Sequence, residues 1–126
     1  MNMENYSLEP TPKTPKLSFD FKNGLFEISG RSIPENSIEF YKSLMTKFEE
    51  YILNPAVSTH LIVNLEYFNT SSSKCLIEIF RKMERVSSNS DVRISWFYEE
   101  EDEDMQESGA DFKKIVKVPI ELIAVK

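Results

Sequence analysis

The stretch Leu61 to Ser73, LIVNLEYFNTSSS, decides how the rest of the chain is read. Leu61 to Phe68 carry apolar residues at both odd and even positions, so they predict a strand lying centrally in a sheet. Asn69, Thr70, Ser71, Ser72 and Ser73 then supply five consecutive small hydrogen-bonding residues. Such residues start helices because their side-chain oxygens accept from free backbone N–H groups of the first turn. The helix they open is predicted over about Ser71 to Ser87, with Leu76, Ile79, Phe80, Met83 and Val86 as its buried stripe and Cys75 beside it. Lys74, Glu78 and Lys82 repeat every fourth residue on the opposite face, giving neighbours of alternating sign.

Upstream, Leu17, Phe19 and Phe21 alternate with Ser18, Asp20 and Lys22, the pattern of a strand with one buried face. Asn23-Gly24 predicts a two-residue hairpin turn into a return strand of Leu25, Phe26 and Ile28. Asn36, with Glu39 three residues on, predicts a capped helix whose stripe is Tyr41, Leu44, Met45, Phe48, Tyr51 and Ile52. Downstream, Val92 to Tyr98 read as a strand, about Asp104 to Val116 as a weaker helix, and Ile120 to Val125 as a last strand. The order strand-strand-helix-strand-helix-strand-helix-strand predicts an α/β layer structure with a mixed sheet of about five strands and three helices. Residues 1–16, which hold Thr11-Pro12 and Thr14-Pro15, are expected to be a flexible lead-in to one domain spanning 17–126.

Composition narrows the function. The chain has 126 residues, 15 basic against 21 acidic, for a net charge of −6. Phosphate neutralisation needs a basic face, so a nucleic-acid partner is not expected. The six consecutive acids Glu99, Glu100, Glu101, Asp102, Glu103 and Asp104 account for the whole imbalance, since −6 + 6 leaves zero elsewhere. By default they read as a solvated loop. They lack the alternating ligands and turn glycine of a calcium loop. No apolar run approaches a membrane span, and the first residues lack the apolar core of a signal peptide, so the expected location is the cytoplasm.

Enzymatic readings find little support. The three glycines, at 24, 30 and 109, form no phosphate loop. Cys75 reads as a small core residue, and His60, the one histidine, as a packed or solvated side chain rather than a base. No cofactor and no metal are expected. What stands out is Asn69 to Ser73, which exceeds what one helix cap requires. On the residues alone it is either a plain cap or an anion and phosphorylation site, because a helix N-terminus tolerates added negative charge. If the strands ending at Phe68 and Tyr98 are parallel neighbours, the acidic run falls on the same sheet edge as this segment.

Two motifs together, Gly30-Arg31-Ser32-Ile33-Pro34-Glu35-Asn36-Ser37 and Tyr67-Phe68-Asn69-Thr70-Ser71-Ser72, make the chain resemble the SiaC family of small bacterial regulatory phosphoproteins in biofilm and aggregation pathways. The resemblance runs from about Thr11 to the C-terminus and implies a domain similar to STAS domains, the fold of anti-sigma-factor antagonists. It implies that Thr70 is phosphorylated by a Ser/Thr kinase of the histidine-kinase-like ATPase type and dephosphorylated by a PP2C-type phosphatase. It also implies that the unphosphorylated form binds and activates a diguanylate cyclase in cyclic-di-GMP signalling, with no enzymatic activity of its own. Asn69, Ser71 and Ser72 would flank the phosphosite, and Pro34, Glu35 and Asn36 match the second motif. The six-acid run departs from the family pattern. Two alternatives remain: an anti-sigma-factor antagonist modified at Ser71 or Ser72, and a small-molecule- or metal-binding domain.

Overall fold

The computed structural model describes residues 3–126. Nine elements follow in the order β1 (Tyr6–Leu8), β2 (Lys16–Asp20), β3 (Leu25–Ser32), α1 (Ser37–Leu53), β4 (Ser58–Phe68), α2 (Thr70–Val86), β5 (Asp91–Glu99), α3 (Glu103–Ile115) and β6 (Ile120–Val125). The six strands form one sheet in sequence order. β1, β2 and β3 are antiparallel to one another, while β3, β4, β5 and β6 are parallel neighbours. The α/β class and the three helices match the sequence reading, and β4 is central.

Two differences concern the N-terminal part. Tyr6–Leu8, within the expected lead-in, pairs with Leu17–Phe19 as a sixth strand. Three residues are too few to announce a strand, even though Tyr6 and Leu8 flank a serine; the neighbouring edge of β2 supplies the hydrogen bonds. Residues 1 and 2 of that lead-in lie outside the described residues. The hairpin after β2 is also longer than Asn23-Gly24 alone: Asp20 pairs with Leu25, leaving four residues to turn. Phe21 is the cause, since its ring is buried against Phe26 and Tyr51 instead of continuing the ladder. Within this turn Gly24 alone takes a positive φ, +70°. The Asp20 carboxylate accepts from the Asn23 amide, which holds its pKa below the ordinary value.

All three helices cover one face of the sheet. The α1 stripe buries Tyr41, Leu44, Phe48 and Tyr51, and Phe48 meets Phe19 and Phe26 edge-on. On α2, Leu76, Ile79, Phe80, Met83 and Val86 are fully buried, as their spacing requires. Phe80 meets Phe112 of α3, and Phe112 meets Trp96 of β5, which closes the layer. The opposite face, with His60, Glu27 and Arg93, has no helix on it. The apolar residues there are correspondingly half-exposed, as Ile62 is, or exposed, as Leu25 is. Lys82 does not pair within α2; it reaches Glu49 of α1 at 2.6 Å, with Arg85 beside it at 2.8 Å. These two cations draw the Glu49 pKa down.

Gly109 marks the closest approach of α3 to the sheet. A β-carbon there would lie 2.6 Å from Trp96 Nε1 and 2.8 Å from Leu122 Cδ2. The same indole N–H donates to the Met105 carbonyl at 3.0 Å, so ring and helix are fixed together. Gly109→Ala is expected to destabilise the fold by about 1–3 kcal/mol through overpacking. Urea unfolding of the two proteins side by side measures this directly.

Candidate functional site

Parallel β3, β4 and β5 bring their C-terminal ends to one edge of the sheet, and the loops and helix starts that follow them cluster there. β3 ends at Ser32, β4 at Phe68 and β5 at Glu99. Asn69 follows β4 and caps α2. Its backbone N–H donates to the Ser32 carbonyl at 3.0 Å, and its Oδ1 accepts from the Ser72 N–H at 2.9 Å. Its Nδ2 donates to the Pro34 carbonyl at 3.4 Å. One side chain therefore joins the two sequence motifs.

Beneath the cap lies a buried cluster of hydroxyls. Ser72, with no exposed surface, sits 2.8 Å from Ser32 Oγ and 3.2 Å from Ser37 Oγ, and donates to the Ser32 carbonyl at 2.9 Å. Ser32 Oγ also meets the Tyr41 hydroxyl at 2.7 Å. Burial pushes the Tyr41 pKa up to about 12, so the phenol stays neutral and keeps its proton for this contact. Ser37 Oγ lies 2.7 Å from Ser71 Oγ, which also donates to Asn69 Oδ1 at 3.2 Å. No buried side-chain polar atom lacks a partner among the described residues.

Thr70 stands apart from this cluster. It is the first residue of α2, exposed, and its hydroxyl makes no hydrogen bond among the described residues. Ser71 is exposed but engaged, and Ser72 is inaccessible. Asn36 caps α1 as its spacing predicts, accepting from the Glu39 N–H at 3.1 Å. Pro34 is buried, whereas Glu35 is exposed and contributes no hydrogen bond among the described residues.

Ser32, Ser37 and Tyr41 are members of the site that sequence reasoning missed. The signal for Ser37 was present, because it sits four residues before Tyr41 on the buried stripe of α1. Ser32 likewise extends the buried alternation of Phe26 and Ile28 to the end of β3.

The sequence profile of the SiaC family regulatory phosphoproteins matches residues 8–125. The chain belongs to the SiaC family. It is 26% identical over 123 residues to an uncharacterized protein of Pseudomonas aeruginosa strain UCBPP-PA14, covering 97% of this chain and 98% of that one. Among solved structures it is similar to apo-SiaC from Pseudomonas aeruginosa, with a TM-score of 0.86 and 25% identity over 97% of this chain and 100% of the other. A second match is SiaC as the activator in complex with the diguanylate cyclase SiaD of that organism, with a TM-score of 0.87 and 26% identity over 95% and 99% of the two chains.

The acidic run is not a free loop. Glu99 ends β5, Glu100 and Glu101 turn, and Asp102 caps α3 by accepting from the Met105 N–H at 3.0 Å. Glu103 and Asp104 occupy the first turn, where the helix dipole favours carboxylates. Parallel β4 and β5 put this helix start on the same edge as Thr70. A cleft of about 250 Å³ lies between the end of β4 and the start of α3, with Glu66, Tyr67 and Phe68 on one wall and Asp102, Asp104 and Met105 on the other.

A more apolar groove of about 200 Å³ runs between α1 and α2, lined by Ile38, Tyr41, Met45 and Cys75 among others. Ile38, next to Ser37, is 77% exposed. Burial raises the pKa of the Cys75 thiol. His60 lies at the other end of β4, bonded to Ser95 Oγ at 2.8 Å and held toward neutrality by burial and by Arg93. Among the described residues no three His, Cys, Asp or Glu side chains are grouped to hold a metal ion, and no helix is long and apolar enough to cross a membrane.

Ser72→Ala is expected to cost about 1–3 kcal/mol, because it strips a buried partner from Ser32 and Ser37. Thr70→Ala, at an exposed and unbonded hydroxyl, is expected to stay within about 0.5 kcal/mol of the parent protein. Chemical denaturation curves of the two variants separate the structural hydroxyl from the free one.

Proposed function

We propose that this chain is a non-enzymatic partner switch governed by reversible phosphorylation of Thr70, whose unphosphorylated form binds and activates a diguanylate cyclase. The observation that carries the reading is the division of labour among the hydroxyls at the start of α2. Thr70 is exposed and unbonded, while Ser71 and Ser72 are tied to Ser37, Asn69 and Ser32. A kinase needs a reachable hydroxyl whose loss of a proton disrupts nothing, and Thr70 offers that.

A phosphate at this position adds about 1.5 to 2 negative charges beside backbone N–H groups of the first helical turn. The helix tolerates that charge, so the fold persists while the surface changes. The apolar groove that starts at Ile38 supports docking of a partner next to Thr70. A partner that buries Thr70 to reach this groove must desolvate the phosphate dianion, which costs several kcal/mol without basic groups to meet it. A contact of micromolar strength, about 8 kcal/mol, does not survive such a loss in useful amounts.

The match to an activator solved in complex with its cyclase supports the choice of partner class. The implied kinase of the histidine-kinase-like ATPase type and the PP2C-type phosphatase complete the cycle, with Glu35, Asn36, Asn69 and Ser71 on the surface they meet and the buried Pro34 and Ser72 holding that surface in place. The cytoplasm, where the cyclase substrate GTP is made available, is the proposed location.

Intact-mass measurement after incubation with the cognate kinase is expected to show one added phosphate, mapped to Thr70. Thr70→Ala should take up none and still activate the cyclase, whereas the phosphorylated parent should bind it more than about tenfold more weakly. Phosphate on Ser71 with Thr70 untouched would transfer the reading to the anti-sigma-factor-antagonist pattern.

A further inference from the structure

The cleft between the end of β4 and the start of α3 differs in chemistry from the α1–α2 groove on the other side of Thr70. Its floor is aromatic and sulfur-bearing: Phe68 packs on Trp96 and Phe112, and Met105 is clamped through its carbonyl by the Trp96 N–H. Tyr67 stands at its mouth, 54% exposed. Carboxylates face it from both walls, Glu66 from the strand and Asp102 and Asp104 from the helix. Neither Glu66 nor any member of the run Glu99 to Asp104 has an ion-pair partner among the described residues.

The walls are also stiff. Gly109 lets α3 settle directly onto the Trp96 ring, so the acidic helix start is held at a fixed height above the sheet. A preformed cleft loses less freedom when filled than a flexible loop would. The apolar floor suits aliphatic or aromatic side chains, and the two carboxylate walls suit cations whose long stems lie along apolar surface.

We infer that this cleft is a docking surface for a basic segment of a partner protein, one that presents arginine or lysine alternating with an apolar residue. Phe68 lines the cleft and Thr70 follows two residues later, within roughly 7 Å of chain. A phosphate on Thr70 therefore adds to the negative field that holds a basic occupant instead of opposing it. The occupant fits a protein that stays engaged with both forms of Thr70, in contrast to the apolar contact expected of the cyclase. The inference extends the Thr70 reading, but the binding it describes is measurable without any kinase or cyclase.

The test uses the full chain, labelled with ¹⁵N, and a synthetic peptide of alternating arginine and leucine, with a glutamate–leucine peptide as control. Amide shifts are expected at Tyr67, Phe68 and the first turn of α3, saturable with the basic peptide and absent with the acidic one. Binding should weaken severalfold between about 0.05 and 0.3 M salt, as exposed charge pairs do. The double variant Glu66→Gln and Asp104→Asn, at two exposed positions, should bind about three- to tenfold more weakly. Tyr67→Ala should weaken binding with little change in salt dependence, and Thr70→Asp should leave it equal or tighter. Shifts spread over acidic residues elsewhere, unchanged affinity in the double variant, or weakened binding in Thr70→Asp would overturn the inference. None of these outcomes bears on whether a kinase modifies Thr70.

Discussion

The Ser72 hydroxyl holds together the segments that meet at the start of α2. It lies within hydrogen-bonding distance of the Ser32 side chain and carbonyl and of Ser37, so one buried oxygen ties the end of β3 to the starts of α1 and α2. Unpaired, any of these groups would cost free energy comparable to a lost hydrogen bond, and together they define where α2 begins. That start places Asn69 as the cap and turns Thr70 outward as the first helical residue. A helix start anchored below by hydroxyls does not wander as a loop would. The exposed threonine is thus presented by a rigid frame, and its neighbours are spent on maintaining that frame.

Around Thr70 the surface divides in two. Toward α1 it is more apolar, with Ile38 protruding beside a groove that Lys42 and Glu78 also line. Toward α3 it is a cleft with carboxylate walls. A dianion placed between them acts with opposite sign on the two sides: it penalises burial against the apolar groove and reinforces attraction of cations to the cleft. The acids are not merely solvated charge, because Asp102, Glu103 and Asp104 also start α3. Their structural and electrostatic roles coincide at the same few positions, which explains how a block of like charge is tolerated within an ordered segment.

Long periodic segments were the most legible in the sequence. The stripes of α1 and α2, the strand character of β4 and the extent of the last strand follow from the sequence pattern, and each appears where that pattern puts it. The Asn36 cap was legible as well, since it uses the side-chain acceptor chemistry that favours asparagine there, whereas five capping-type residues in a row left open that Asn69 would be the cap of α2. What escaped was decided by contacts between distant segments. β1 exists because an edge of β2 is available, and the hairpin lengthens because Phe21 finds a better place among other rings than in the ladder. Lys82 prefers Glu49 on another helix to its own neighbours. The hydroxyl cluster escaped for the same reason, since serine at an apolar position has no meaning until the partner arriving from another segment is known. The acidic run was misread as a loop because a block of like charge masks the capping aspartate inside it.

The position of Thr70 on the first turn of a fully formed helix has a consequence in time. A signal written on a segment that must fold or melt is limited by the rate of that rearrangement and by the free energy it consumes. Here the helix already exists and its caps are already satisfied, so a charge added at Thr70 has no folding step to wait for. Under the proposed phosphorylation, the response of the surface would be as fast as the chemistry that writes or erases the mark, and its memory would last as long as the covalent bond.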